Sequence, residues 1–121
     1  MLQRFQKRFY SDSILNARQY ALDAVELLKP YKNKEEYTYA LHQVAFYSAH
    51  LNDLEFAIPF QEECVRIRES LFGIRHRYYL NSLHLLSYLY NETGNTKKSI
   101  QLDKQILVTY ESLIGKNNVY Y

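Results

Sequence analysis

The sequence predicts an all-α fold, an α-solenoid of stacked antiparallel helical hairpins with about two full repeats and partial repeats at both ends. Three observations carry that expectation. Tyr37, Leu41, His42, Ile58, Glu69, Ser70, Leu71, Gly73, Tyr78 and Tyr79 each recur 42 places later, giving ten identities in 43 ungapped pairs. A fixed period of this size marks stacked supersecondary units, each burying its apolar face against the next. Apolar residues fall at helical steps of three and four, and proline and glycine close the stretches between them.

A short helical piece is expected over 2–10, followed by a helix over 12–29 that Pro30 closes. The next helix, 34–51, carries Leu41, Val44, Ala45, Ser48 and Leu51 on one stripe. Its partner, 54–72, carries Leu54, Ala57, Ile58, Val65 and Leu71 and ends at Gly73. The pattern then repeats over 77–92, with Leu83, Leu86, Ser87 and Tyr90, and over 96–114, with Ile100, Ile106, Leu107 and Leu113. Asp53 and Asn95 or Thr96 stand where side-chain oxygens accept from free N–H groups at a helix start. Pro59 lies inside its helix, where it removes one backbone bond and bends the first turns. The short links around Asn52-Asp53 and Gly94-Asn95 make consecutive helices antiparallel.

The 121 residues fit one domain, and 47% apolar with 23% charged residues is an ordinary globular mixture. Thirteen tyrosines and no tryptophan are unusual; a tyrosine ring with a polar tip suits both helix packing and half-exposed recognition surfaces. A net charge of +2 without a long basic block argues against nucleic-acid binding, and Gln3-Arg4-Phe5-Gln6-Lys7-Arg8 reads as a solvated helix face. A single cysteine, Cys64, excludes an internal disulfide framework. No apolar run approaches the roughly 18 residues of a membrane span, and the start lacks a signal-peptide core, so cytoplasm is the expected compartment.

The string Ile67-Arg68-Glu69-Ser70-Leu71-Phe72-Gly73, leading through His76 to Tyr79 and Leu83, resembles tetratricopeptide repeats of the longer, kinesin-light-chain type. Ala57-Ile58-Pro59 is similar to the opening of that family's second helix. Ala45 with Ser87, Ala57 with Ser99, and Cys64 with Ile106 match its small positions, Ile106 being a departure that loosens one crossing. Arg77 and Asn118 depart from the linker pattern. The resemblance implies a partial, diverged repeat over 1–35, repeats over 36–77 and 78–115, and the start of a truncated one over 116–121. In the first, Ala17, Ala21 and Ala24 resemble a second helix, at an offset of 40 or 43. Both ends look cut, as in a domain from a larger regulatory protein or in a repeat array with worn terminal caps.

By the same resemblance, the first helix of each pair lines a concave wall. The groove residues would be Tyr39, His42, Gln43, Phe46 and His50, then Asn81, His84, Leu85, Tyr88 and Asn91. Rings interleaved with amides and imidazoles suit a peptide or a partner domain, and Phe46 and Tyr88, one period apart, are the expected anchors. His42 and His84 with His50 raise metal binding, but no carboxylate or thiol at matching spacing completes a site. A groove that responds to pH near neutrality is the alternative role for these histidines. A carboxylate clamp would need lysine and asparagine at the inner positions, so a chaperone-tail receptor is not expected. Glu35-Glu36 and Glu62-Glu63 point about 100° apart on a helix and do not converge. Without a P-loop, dinucleotide fingerprint, H-E-x-x-H or nucleophile elbow, neither an enzyme nor a cofactor is expected. The expected function is a non-enzymatic scaffold that binds a protein partner. End-to-end self-association as a homo-oligomer is the alternative, with Phe5, Phe9 and Tyr120-Tyr121 exposed, and regulation of an enzyme outside these residues is a third.

Overall fold

The computed structural model describes the backbone of residues 2–115 and side chains from Tyr10 to Gly115. The expectations for Phe5, Phe9, Asn118, Tyr120, Tyr121 and the stretch 116–121 lie outside the described side chains. The chain folds as α1 (Leu2–Leu28), a 3₁₀ turn (Lys29–Tyr31), α2 (Glu35–His50), α3 (Leu54–Phe72), α4 (Arg77–Glu92) and α5 (Thr96–Ile114), with no strand among the described residues. Every boundary of the α2–α3 hairpin returns 42 residues later in α4–α5.

The hairpin links repeat too. Asn52 adopts φ 60° and Gly94 φ 90°. The amide of Asp53 donates to the Ser48 carbonyl at 2.8 Å, and that of Asn95 to the Tyr90 carbonyl at 2.7 Å. These six-to-one bonds close both first helices and turn the chain back on itself. Asp53 and Asn95 do occupy the N-cap positions, but neither side chain caps its helix. Asp53 instead pairs with Arg18 of α1 at 2.8 Å, while Asn95 Nδ2 points to Thr93 Oγ1 at 3.5 Å. The side-chain cap that does form was not expected. His76 Nδ1 accepts from the Tyr78 amide at 3.0 Å and starts α4.

The separate piece over 2–10 is not separate. α1 is one continuous helix through Ser11, Asp12 and Ser13, all exposed. Pro59 lies inside α3, as expected, with its ring exposed.

Each helix packs on its predecessor, and α2 also touches α4. Short links make α2 and α4 parallel, so the two first helices share one side of the layer. One core cluster joins Ala21 and Val25 of α1 to Tyr37, Ala40, Leu41 and Val44 of α2 and Cys64 of α3. A second joins Tyr79, Leu80 and Leu83 of α4 to Ile106 of α5, with Val65 of α3 alongside. Ile106 therefore fills this crossing. A third holds Ala45, Ala57 and Leu89 where α2, α3 and α4 meet.

In the second hairpin the alanine pair 45/57 becomes Ser87 and Ser99. Their hydroxyls lie 2.9 Å apart, and Ser87 also donates to Asp103 at 2.6 Å. A close crossing is kept with its buried hydroxyls satisfied, since an unpartnered one would be costly.

Gly73 ends α3 at φ 84°, ψ 169°, a region that side chains with a Cβ avoid. A Cβ there would meet nothing within 4 Å, so substitution acts through the backbone alone. Gly73→Ala is expected to lower unfolding free energy by about 1–3 kcal/mol. Urea denaturation followed by circular dichroism checks this, and an unchanged midpoint would contradict the strain.

Candidate partner-binding cleft

α2 and α4 leave a cleft between them with two differently built ends. At the C-terminal end of the helices, Phe46, Ala49 and His50 of α2 face Leu85 and Tyr88 of α4 around about 300 Å³. Phe46 is 42% exposed and Tyr88 49%, high values for rings of this size beside a core. Phe46 is braced edge-on by His50, 4.5 Å between centroids, and by Tyr47 at 5.6 Å. Leu85 forms the floor, packed on the Ala45–Leu89 cluster. His50 is itself approached by the Tyr10 hydroxyl of α1, 3.5 Å from Nδ1.

The other end is polar, about 200 Å³ lined by Glu35, Tyr39 and His42 of α2, Arg68 of α3, and Tyr78 and Asn81 of α4. Arg68 is buried, only 4% exposed. Its Nε donates to Thr38 Oγ1 at 3.1 Å and its Nη1 to the Tyr78 carbonyl at 3.0 Å, while the guanidinium lies over the Tyr78 ring at 5.6 Å. It thus ties three helices together, and no carboxylate lies within ion-pair distance of it among the described residues. A buried cation with only neutral partners is electrostatically strained, and an acceptor entering the cleft would relieve it.

His42 is fixed by α3. Gln61 Nε2 donates both to the Ser82 carbonyl at 2.9 Å and to His42 Nδ1 at 3.1 Å. A carbonyl can only accept, so the amide nitrogen faces it, Nδ1 must accept as well, and the ring proton sits on Nε2. Burial, reinforced by the Arg68 charge, pushes the His42 pKa down to about 4. His42 is therefore neutral near pH 7, so the expectation that it switches the groove near neutrality fails. Gln61 Oε1 is left buried without a partner.

Phe46, His50, Leu85 and Tyr88 of the ten expected residues meet at the aromatic end, and Tyr39, His42 and Asn81 at the polar end. Three do not join them. Gln43 faces α1 and donates to the Tyr39 hydroxyl at 2.6 Å. His84 is exposed beside Tyr110 of α5, ring centroids 6.2 Å apart, instead of completing a histidine pair. Asn91 is exposed and lines neither end. Glu35, Arg68 and Tyr78 were missed. The Arg68-Glu69 string signalled only a family motif, although an arginine among core positions is itself a flag.

Among the described residues no three His, Cys, Asp or Glu side chains converge as metal ligands. Cys64 is buried, its thiol 3.4 Å from the Thr38 carbonyl, and burial pushes its pKa up to about 12, where a thiol is inert. No helix among the described residues is long and apolar enough to cross a membrane.

The class defined by this geometry is an array of parallel-stacked helical hairpins with an open cleft between first helices. Over residues 36–112 the chain matches the family model for the tetratricopeptide repeat. The chain belongs to that family, its units repeating every 42 residues. Two crystal structures of a protein assigned as a kinesin light chain from Podosopora anserina, one of them a single-residue variant, share the fold. Both give a TM-score of 0.66 at 17% identity and carry nearly identical TPR-like repeats. The match covers 95% of this chain and 60% and 59% of those chains, so this chain spans about 60% of their length. No curated protein matches the sequence.

Proposed function

We propose that this chain is a non-enzymatic interaction module that holds a segment of a partner protein in the α2–α4 cleft. The observation that carries the reading is the meeting of Phe46 and Tyr88, both half-exposed, around one cleft. Rigid rings over a leucine floor suit an apolar anchor side chain of the partner. At the other end of the cleft, the His42 Nε2–H of α2, four residues before Phe46, and the Arg68 guanidinium of α3 offer donors for its carbonyl or carboxylate groups. The occupant is thus an extended or helical segment with an apolar residue at one end and an acceptor at the other. We read the repeats over 36–77 and 78–115 as the two walls of this cleft.

Peptides selected from a displayed random library on the full chain supply the probe. Phe46→Ala or Tyr88→Ala is expected to weaken the selected peptides by about tenfold or more, with helicity at 222 nm unchanged. Unchanged affinity in both variants would remove the cleft as the docking site. End-to-end self-association is the competing reading, favoured by Leu107 and Val108 on α5, 59% and 63% exposed. Sedimentation across a hundredfold concentration range separates the two, because stacking requires a mass that grows with concentration.

A further inference from the structure

The groove between α1 and α2 repeats a groove that is filled elsewhere in the molecule. α2 itself lies against α3 and α4, and four α3 residues make its seat. Ala57 packs with Ala45, Gln61 bonds His42, Cys64 donates to the Thr38 carbonyl, and Arg68 donates to the Thr38 hydroxyl. Moved back by 40 residues, these four positions fall on Ala17, Ala21, Ala24 and Leu28 of α1. All four line one wall of an apolar groove of about 460 Å³, and Ala40 of α2, 42 residues before Ser82, lies on the other. The 40-residue register, and not 43, is therefore the one that matches α1 to α3. Small residues at 17, 21 and 24 let a helix backbone approach closely, as alanines do at the α2–α3 crossing.

Neighbouring exposure points the same way. Tyr20 and Leu27 of α1 are 76% and 77% exposed. Their counterparts 40 residues on, Phe60 and Ile67, pack on the first core cluster. Two bulky side chains left bare beside a ready-made helix seat mark a surface that functions covered.

Charge selects the occupant. The ionised residues lining the groove are Glu35 and Glu36, at the end where α2 begins, and neither has a cation within ion-pair distance among the described residues. In the filled groove the corresponding positions are Arg77 and Tyr78, and Leu28 replaces Arg68. The sign is inverted, so a helix with the acidic start of α2 would meet like charge. A second copy presenting its own α2 is disfavoured for this reason. We propose that the α1–α2 groove receives one helix of a partner protein, parallel to α2, with small residues on its buried face and a basic first turn. The site shares only Glu35 and Tyr39 with the α2–α4 cleft.

The probe is a synthetic peptide of residues 35–50 carrying Glu35→Lys and Glu36→Lys. It is held helical by a staple replacing the exposed Tyr39 and Phe46, labelled, and titrated with the full chain by fluorescence anisotropy. Saturable binding on the order of micromolar is expected. Restoring both glutamates in the peptide should weaken it by about tenfold, as should Ala17→Arg with Ala24→Arg in the protein. Tyr20→Arg, at a side chain too exposed to carry the fold, gives the same answer if the double variant unfolds. Phe46→Ala with Tyr88→Ala should leave this binding intact, which separates it from the cleft. Absence of saturation, equal affinity for the lysine and glutamate peptides, or indifference to Tyr20→Arg would each overturn the proposal. So would a concentration-dependent dimer that excludes the peptide, which would assign the groove to a second copy.

Discussion

Leu89→Ala is expected to lower the free energy of unfolding by about 3 kcal/mol. Leu89 is fully buried in α4, where it meets Ala45 of α2 and Ala57 of α3. Those two partners are already alanines at a close crossing, so neither has a long side chain to swing into the space left behind. Cost rises with the volume that stays empty, which places this site toward the upper part of the range for buried leucines. A domain of this size is stable by about 5–15 kcal/mol, so the loss is a large fraction of the total. Urea denaturation at pH 7, followed at 222 nm, reads it directly. Leu107→Ala, at a side chain 59% exposed on α5, is the control and should shift stability by less than about 0.5 kcal/mol. Equal effects at 89 and 107 would mean that the three-helix junction is not the keystone of the stack.

The same junction explains what could be read from the chain alone. The period places Leu89 over Tyr47 and Ser87 over Ala45, and helices bounded by Gly73, Gly94 and Gly115 follow from it with little freedom. Local chemistry misled where tertiary contacts intervened. Ser11, Asp12 and Ser13 favour caps and turns, yet α1 passes through them because nothing there competes for its backbone bonds. Asp53 has a cap's chemistry, but Arg18, 35 residues away in sequence, offers a stronger partner.

The aromatic end of the cleft was legible, because Phe46 and Tyr88 are equivalent under the repeat and equivalent side chains face the same way. The polar end was not. It depends on Gln61 and Arg68, whose equivalents are Asp103 and Tyr110, so the repeat breaks where the chemistry is. That substitution is also why His42 is locked against Gln61 while His84 stands exposed beside Tyr110.

The lock on His42 gives the second large effect, an acid-sensitive fold. The ring is held down to a pKa of about 4 in the folded chain, first by burial and then by Arg68, against an ordinary value of 6.5. Above pH 6.5 both folded and unfolded chains carry it neutral, and its contribution to stability is complete. Between pH 6.5 and 4 the unfolded chain binds a proton that the folded chain refuses, so stability falls as pH falls, by about 1.4 kcal/mol per unit at the steepest. Below pH 4 this residue adds no further loss. The total comes to roughly 3 kcal/mol, comparable to removing Leu89. Glu35, Tyr39, Gln61, Arg68, Tyr78 and Asn81 are the polar groups around the ring. His42→Asn removes the titrating group while leaving an oxygen to accept from Gln61. Urea midpoints measured from pH 7.5 to 4.5 should therefore slope for the parent chain and flatten for the variant. Parallel slopes would show that burial beside Arg68 does not hold the ring neutral, and the cleft would then regain a titrating group near the pH at which it must bind.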